Sequence, residues 1–74
     1  MLMLLLKPGE LNMKSKVGVV IKGTENHGYN VGELIEITNK NTDTCYTCVG
    51  YSRFNNQPIK QLLFTNEFKI LGDL

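Results

Sequence analysis

Short runs of apolar and β-branched residues alternate along the chain with polar and glycine-rich stretches. Five runs have the length of β-strands, and none has the length and period of an ordinary helix. The five runs are Val17–Lys22, Val31–Thr38, Thr44–Tyr51, Ile59–Phe64 and Phe68–Leu71. Turn-forming residues separate them at the short spacing that is typical of small barrels. The pattern therefore predicts an all-β domain, a small five-stranded barrel that needs no helix.

The order of residues within a run predicts which side chains share a face of the sheet. In the first run every second residue from Val17 is apolar, whereas the face that begins at Gly18 mixes glycine, valine and lysine. In the second run Leu34 breaks the alternation. Because a glycine inside a strand often marks a bulge, we expect a bulge near Gly32 to turn Leu34 inward.

The stretch between the first two strands is punctuated by residues that tolerate positive φ. Glycines stand at positions 23, 28 and 32, and asparagines at positions 26 and 30. Glycine adopts such backbone conformations at no steric cost, and asparagine does so more readily than most residues. We therefore expect this loop to have a defined shape.

The same stretch carries a resemblance to known families. Residues 20–23 read V-I-K-G, Gly28 follows, and residues 32–37 read G-E-L-I-E-I. This arrangement resembles a KOW motif and, more broadly, the SH3-like barrels of phage and bacterial accessory proteins. The resemblance implies an SH3-like β-barrel over residues 13–74. Residues 1–12 are then an N-terminal extension or an extra strand.

Length and charge narrow the classes of function. A single domain of 74 residues buries only ~60% of the surface of its unfolded chain, so oligomerisation or a partner would add useful stability. The net charge is only +1. A dedicated nucleic-acid binder usually carries a basic excess. A protein partner is therefore favoured over a nucleic acid, and a homo-oligomer stays an open alternative.

The first six residues, Met1 to Leu6, are all apolar. Six residues are too few for a membrane span, which needs ~20, and no basic leader of a secretory signal precedes them. We therefore expect a soluble, cytoplasmic protein without membrane association. Two interpretations of this stretch stay open: residues 2–6 pair with a sheet edge or become buried in a dimer, or Met13 is the natural start and residues 1–12 are an extension.

The side chains that carry chemistry are few. Cys45 and Cys48 form a C-x-x-C pair, but a separation of three in a strand puts the two thiols on opposite faces. A zinc site would need two further ligands, and His27 is the single histidine. We interpret the cysteines as structural thiols, with zinc binding or redox chemistry as the alternatives. We expect no enzymatic activity, no metal and no cofactor, and we expect His27 to hydrogen-bond its own loop.

The SH3-like resemblance implies a binding surface made of the loop between the first and second strands and the loop between the third and fourth. On that basis His27, Tyr29, Arg53 and Phe54 converge and contact a protein partner, as in an accessory protein of a phage or mobile element that acts on a host complex. Tyrosine and arginine are frequent at interface hot spots. In a competing interpretation, Tyr29 and Phe54 cap the barrel and Arg53 stacks on one of them.

The alternative function is that of a KOW-like barrel that binds RNA or DNA. Lys22, Arg53 and Lys60 would contact phosphates, and Tyr29 or Phe54 would stack on a base. The two functions differ in their response to salt, since binding to phosphates weakens steeply as salt rises.

Overall fold

The computed structural model describes residues 14–74. They form one sheet of five antiparallel strands in the order β4-β3-β2-β1-β5. The strands are β1 (Lys16–Val20), β2 (Leu34–Lys40), β3 (Cys45–Tyr51), β4 (Pro58–Phe64) and β5 (Phe68–Asp73). The all-β, five-stranded prediction is confirmed. Within these residues no helix is long and apolar enough to cross a membrane.

The fold prediction also included closure of the sheet into an SH3-like barrel and an additional segment at residues 1–12. The strand ladder does not join β4 to β5 within residues 14–74, so closure into a barrel and the SH3-like assignment stay predictions. The extension or extra strand predicted at residues 1–12 lies outside the described residues.

The hydrophobic core covers one face of the sheet, which we call the inward face. Strand residues at alternate positions point to it, and the loop of residues 21–33 contributes one aromatic ring. The buried apolar side chains are Val20, Tyr29, Ile35, Ile37, Cys48, Leu63 and Phe68. Tyr46 and Ile59 pack against this cluster while staying partly accessible.

The face of β1 that mixes glycine with valine is the buried one. Gly18 and Val20 point to the core, and Val17 and Val19 are half-buried on the other side. A Cβ atom at Gly18 would lie 2.9 Å from Ile37 Cδ1. The Cβ atom would also lie 3.0 Å from the backbone oxygen of Lys69 in β5, so glycine is favoured at this position.

The predicted bulge near Gly32 is wrong, and so is the inward position of Leu34. Gly32 adopts φ 91° in the turn that precedes β2. The alternation of β2 starts after this turn, so Ile35 points inward and Leu34 is 62% exposed. The irregularity of β2 lies further along, between Ile37 and Asn39, where the register with β3 shifts.

The turn of residues 65–67 connects β4 to β5. Glu67 N donates to Phe64 O at 2.9 Å, which closes a single tight turn. This turn brings the end of β4 next to the start of β5.

A substitution at Gly50 tests the close packing of this core. A Cβ atom there would lie 2.8 Å from Ile35 Cγ2 and 3.0 Å from Tyr29 Cε1. Because both neighbours are buried, we expect Gly50→Ala to lower the free energy of unfolding by about 1–3 kcal/mol. Urea unfolding measures this change.

Gly72→Ala is the matched control, since no atom lies within 4 Å of a Cβ atom at Gly72. We expect it to change stability by no more than about 0.5 kcal/mol. Equal effects of the two substitutions would show that the packing around Gly50 is looser than described.

Candidate functional site

A buried carboxylate, that of Glu67, joins the turn of residues 65–67 to the loop of residues 21–33. Its side chain is only 2% exposed. It accepts hydrogen bonds from the Thr24 hydroxyl, from Asn26 Nδ2 at 3.0 Å and from Phe64 N at 2.8 Å. Its backbone carbonyl also accepts from Ile21 N at 2.9 Å. Glu67 therefore ties the start of the loop to the end of β4.

These hydrogen bonds keep the carboxylate ionised. Burial alone would raise the pKa of Glu67, but the bonds from Thr24, the Phe64 amide and Asn26, with a smaller electrostatic contribution from His27, outweigh it. The pKa of Glu67 consequently lies below its ordinary value of 4.5. A carboxylate that accepts several hydrogen bonds is stabilised in its charged form.

His27 holds the middle of the same loop. Its Nε2 lies 2.7 Å from Lys22 O, and its Nδ1 accepts from Tyr29 N at 3.1 Å. Because a carbonyl can only accept and an amide N–H can only donate, the proton of the neutral ring must sit on Nε2. The prediction that His27 hydrogen-bonds its loop is confirmed. The side chain is 3% exposed, so it does not form part of the protein surface.

Tyr29 lies in the core. The side chain is 0% exposed, and its hydroxyl lies 3.1 Å from Cys48 O and 2.8 Å from Ile59 O. Burial is the main reason that the pKa of Tyr29 rises to about 12. The ring is therefore neutral, fixes the loop onto β3 and β4 and is not exposed to a partner.

Gly28 lies between His27 and Tyr29 and connects the loop to its surroundings through both backbone groups. Gly28 N donates to Gln61 Oε1 at 2.6 Å. Gly28 O accepts from Arg53 N at 2.7 Å. The two loops that the resemblance placed together are thus in direct contact. Their backbones and not the side chains of His27 and Tyr29 form the contact.

The loop of residues 52–57 is held by its own hydrogen bonds. Ser52 is buried, and its Oγ accepts from Phe54 N at 3.1 Å while its carbonyl accepts from Asn56 N at 2.8 Å. Gln57 closes the loop, because its carbonyl accepts from Ser52 N at 2.8 Å. Asn56 adopts φ 57°, a conformation that asparagine tolerates. The loop therefore has a defined shape.

This loop presents an aromatic ring to solvent. Phe54 is 77% exposed, more than any other large apolar side chain of residues 14–74. The Arg53 guanidinium lies 4.8 Å from the centroid of its ring. One edge of the ring approaches Gly28, since a Cβ atom there would lie 3.5 Å from Phe54 Cε2. We call Arg53, Phe54 and the adjoining backbone of Gly28 the loop-junction surface.

The three cations of the nucleic-acid alternative are all exposed but do not share one strand face. Lys22 follows β1, Arg53 belongs to the loop-junction surface, and Lys60 lies on β4. Lys60 points away from the core, whereas the neighbouring Ile59 is half-buried and approaches Gly28.

The cysteines are free thiols on opposite faces of β3, as predicted. Burial raises the pKa of Cys48 to about 12, with a further contribution from Cys45. A thiol with so high a pKa is a poor nucleophile at neutral pH. Within residues 14–74 no three His, Cys, Asp or Glu side chains lie close enough together to hold a metal ion.

Sequence reasoning missed the residues that organise the site, namely Thr24, Asn26, Gln61 and Glu67. Each looks like an ordinary polar residue of a loop or an exposed strand face. The single available signal is that Glu67 lies in a tight turn between two apolar strands. This signal does not identify its hydrogen-bond partners Thr24 and Asn26, which lie more than forty positions earlier in the chain.

The chain matches no known protein family, and no curated protein and no solved structure is detectably similar to it. Its function is therefore inferred from the geometry of its own residues.

Replacing Glu67 tests the role of its carboxylate. Glutamine keeps one acceptor oxygen and puts an NH₂ group in place of the other, so at least one of the three donors loses its acceptor. We therefore expect Glu67→Gln to lower the free energy of unfolding at pH 7 by about 1–3 kcal/mol. The pKa of Glu67 is lower in the folded chain than in the unfolded chain. The carboxylate therefore stabilises the fold above about pH 4.5, and this stabilisation is lost as the pH falls through the folded pKa.

Urea unfolding between pH 3 and 7 measures both effects, and the stability of Glu67→Gln should depend less on pH than that of the unaltered chain. Glu25→Gln, in the same loop but exposed, is the control and should keep the original pH dependence. The role assigned to Glu67 fails if the two variants give the same profile.

Proposed function

We propose that this chain is a non-enzymatic binding module of the SH3-like type that docks on a protein partner through the loop-junction surface. The observation that carries the proposal is the exposed ring of Phe54 on a loop fixed by hydrogen bonds. A large apolar ring gains free energy when a partner covers it. A loop that is already ordered loses little conformational entropy on binding.

The pairing of Arg53 with Phe54 adds hydrogen-bond donors to this apolar area. Arginine and aromatic side chains are enriched in interfaces, where they supply large contact area at the centre of the contact. The guanidinium lies over the ring and retains donors for carboxylate or carbonyl groups of a partner. The surface therefore suits a protein segment that combines an apolar group with a hydrogen-bond acceptor.

The order of the strands supports an SH3-like barrel as the scaffold. β1 pairs with both β2 and β5, so the first and last strands are neighbours, and a single tight turn connects β4 to β5. Glu67 and Asn26 bond backbone groups of β4 from outside the strand ladder, Phe64 N and Leu62 O respectively. Side chains thus occupy the gap that barrel closure would bridge.

A small binding module with a rigid, exposed aromatic surface is consistent with an accessory protein of a phage or mobile element that docks on a host complex.

Affinity capture with the full tagged chain tests the proposal, with the lysate divided and one half treated with nuclease. We expect a defined protein to be retained after nuclease and to be lost with Phe54→Ala. Because the ring is largely exposed, this substitution should change stability by no more than about 0.5 kcal/mol.

Leu71→Ala is the control, since Leu71 is also a largely exposed apolar side chain but lies on β5, away from the loop-junction surface. It should retain the partner. Retention of the partner by Phe54→Ala would place the docking surface elsewhere and contradict the proposal.

The second candidate function is the binding of single-stranded RNA or DNA. The observation in its favour is that a cation and an exposed ring lie side by side, as in surfaces that stack on bases. Three cations, Lys22, Arg53 and Lys60, would neutralise phosphates. The affinity for an oligonucleotide should then fall with salt with a logarithmic slope of about −2 to −3.

Fluorescence anisotropy with a labelled single-stranded oligonucleotide at several salt concentrations measures this slope. A slope in that range that becomes shallower by roughly 0.7–0.9 in Arg53→Ala would favour nucleic-acid binding over protein docking. Binding that is immeasurable at low salt would eliminate this alternative.

A further inference from the structure

The face of the sheet opposite the core, the outward sheet face, is largely apolar. Alternate residues of β1 to β4 point to it because the residues between them fill the core. Its apolar members are Val17, Val19, Leu34, Val49, Tyr51, Leu62 and Phe64. Tyr51 is 52% exposed, and Leu62 and Phe64 are about half exposed. Contiguous apolar faces of this kind mark interaction surfaces.

Two opposite charges stand symmetrically on this face. Val49 of β3 is paired with Lys60 of β4 on one side and with Glu36 of β2 on the other. Since neighbouring strands are about 4.8 Å apart, the two charged residues are separated by roughly 9–10 Å with Val49 between them. Both are exposed, and neither forms an ion pair with another residue of the described chain.

A two-fold axis that runs along β3, in front of the sheet, makes this arrangement complementary to itself. Such an axis exchanges the positions of β2 and β4, so Lys60 of one copy faces Glu36 of the other, and the reverse. Val49 then faces Val49 of the second copy. A surface that matches itself in this way is what a symmetric dimer requires.

The row of side chains at Tyr51 gives the same result, whereas the row at Thr47 would set an apolar leucine of β4 against a polar residue of β2. Tyr51 is paired with Pro58 of β4, and the register of β2 brings Leu34 beside Tyr51 on the other side. The same axis opposes Tyr51 to itself and Leu34 to Pro58, so apolar groups meet apolar groups. Sheets pack about 10 Å apart, a gap that lysine and glutamate side chains can span together.

We propose that the outward sheet face binds a second copy of this chain, face to face, with Val49 on the two-fold axis and two ion pairs between Lys60 and Glu36. The occupant is a second copy because the charge pattern is complementary to itself. This surface is distinct from the loop-junction surface, because Phe54 lies against Gly28, and Ile59, which also approaches Gly28, points to the inward face. Dimerisation therefore leaves Phe54 free.

Sedimentation equilibrium of the full chain over a wide range of concentrations tests the proposal. We expect a reversible monomer–dimer equilibrium. Lys60→Glu and Glu36→Lys each oppose like charges twice per dimer, so each should raise the dissociation constant by about tenfold or more. The double variant restores opposite charges and should return the constant to within about threefold of the original value.

Lys22→Glu is the control, since it makes the same change of charge outside the strands. It should leave the dissociation constant unchanged, and so should Phe54→Ala, which separates this proposal from the proposed function. A chain that stays monomeric at all concentrations would overturn the proposal. A dimer that tolerates the single charge reversals, or that the double variant fails to restore, would overturn it equally.

Discussion

The hydrogen bonds of the buried Glu67 carboxylate are the constraint on which the rest of the structure depends. The sheet is open between β4 and β5, and the outer edge of β4 would otherwise present unpaired backbone groups. Glu67 satisfies one of them, Phe64 N, and at the same time holds Thr24 and Asn26. A charged group that is buried in this way is stable only because all of its hydrogen bonds are present. Removal of one partner leaves a buried polar group unpaired, which destabilises the fold.

The same constraint leads to the loop-junction surface. Once Glu67 fixes the start of the loop of residues 21–33, His27 and Tyr29 anchor its middle, and the carbonyl of Gly28 is aimed at Arg53 N. The loop that carries Phe54, at the start of β4, is thus positioned from the opposite end of that strand. If the outward sheet faces of two copies also meet, the dimer presents two Phe54 rings, and a partner with two sites would be bound with higher effective affinity than one with a single site.

The strands were predictable because β-branched residues and period-two alternation are properties of the local sequence, and the opposite faces of Cys45 and Cys48 follow from the same period. The outward position of Leu34 was not predictable, because it depends on the residue at which the turn at Gly32 ends and β2 begins. The burial of Tyr29 could not be predicted from the local sequence either, since it depends on the space that Gly50, on β3, leaves for its ring. The loops were placed together by resemblance alone. Glu67 gave no usable signal, because its buried state depends on donors from a loop that precedes it by about forty residues.

The central claim is that Glu67 controls the order of the Phe54 loop without touching it. Native-state amide hydrogen exchange of the full chain, followed at the Arg53 amide, tests this claim most directly, because that amide donates to Gly28 O and to no atom of Glu67. We expect Glu67→Ala to speed exchange at Arg53 by about tenfold or more beyond the increase in the β2–β3 ladder, where exchange rises only as far as the global free energy of unfolding falls, and we expect Glu25→Ala to change neither. An increase at Arg53 no larger than that of the ladder would contradict this role of Glu67.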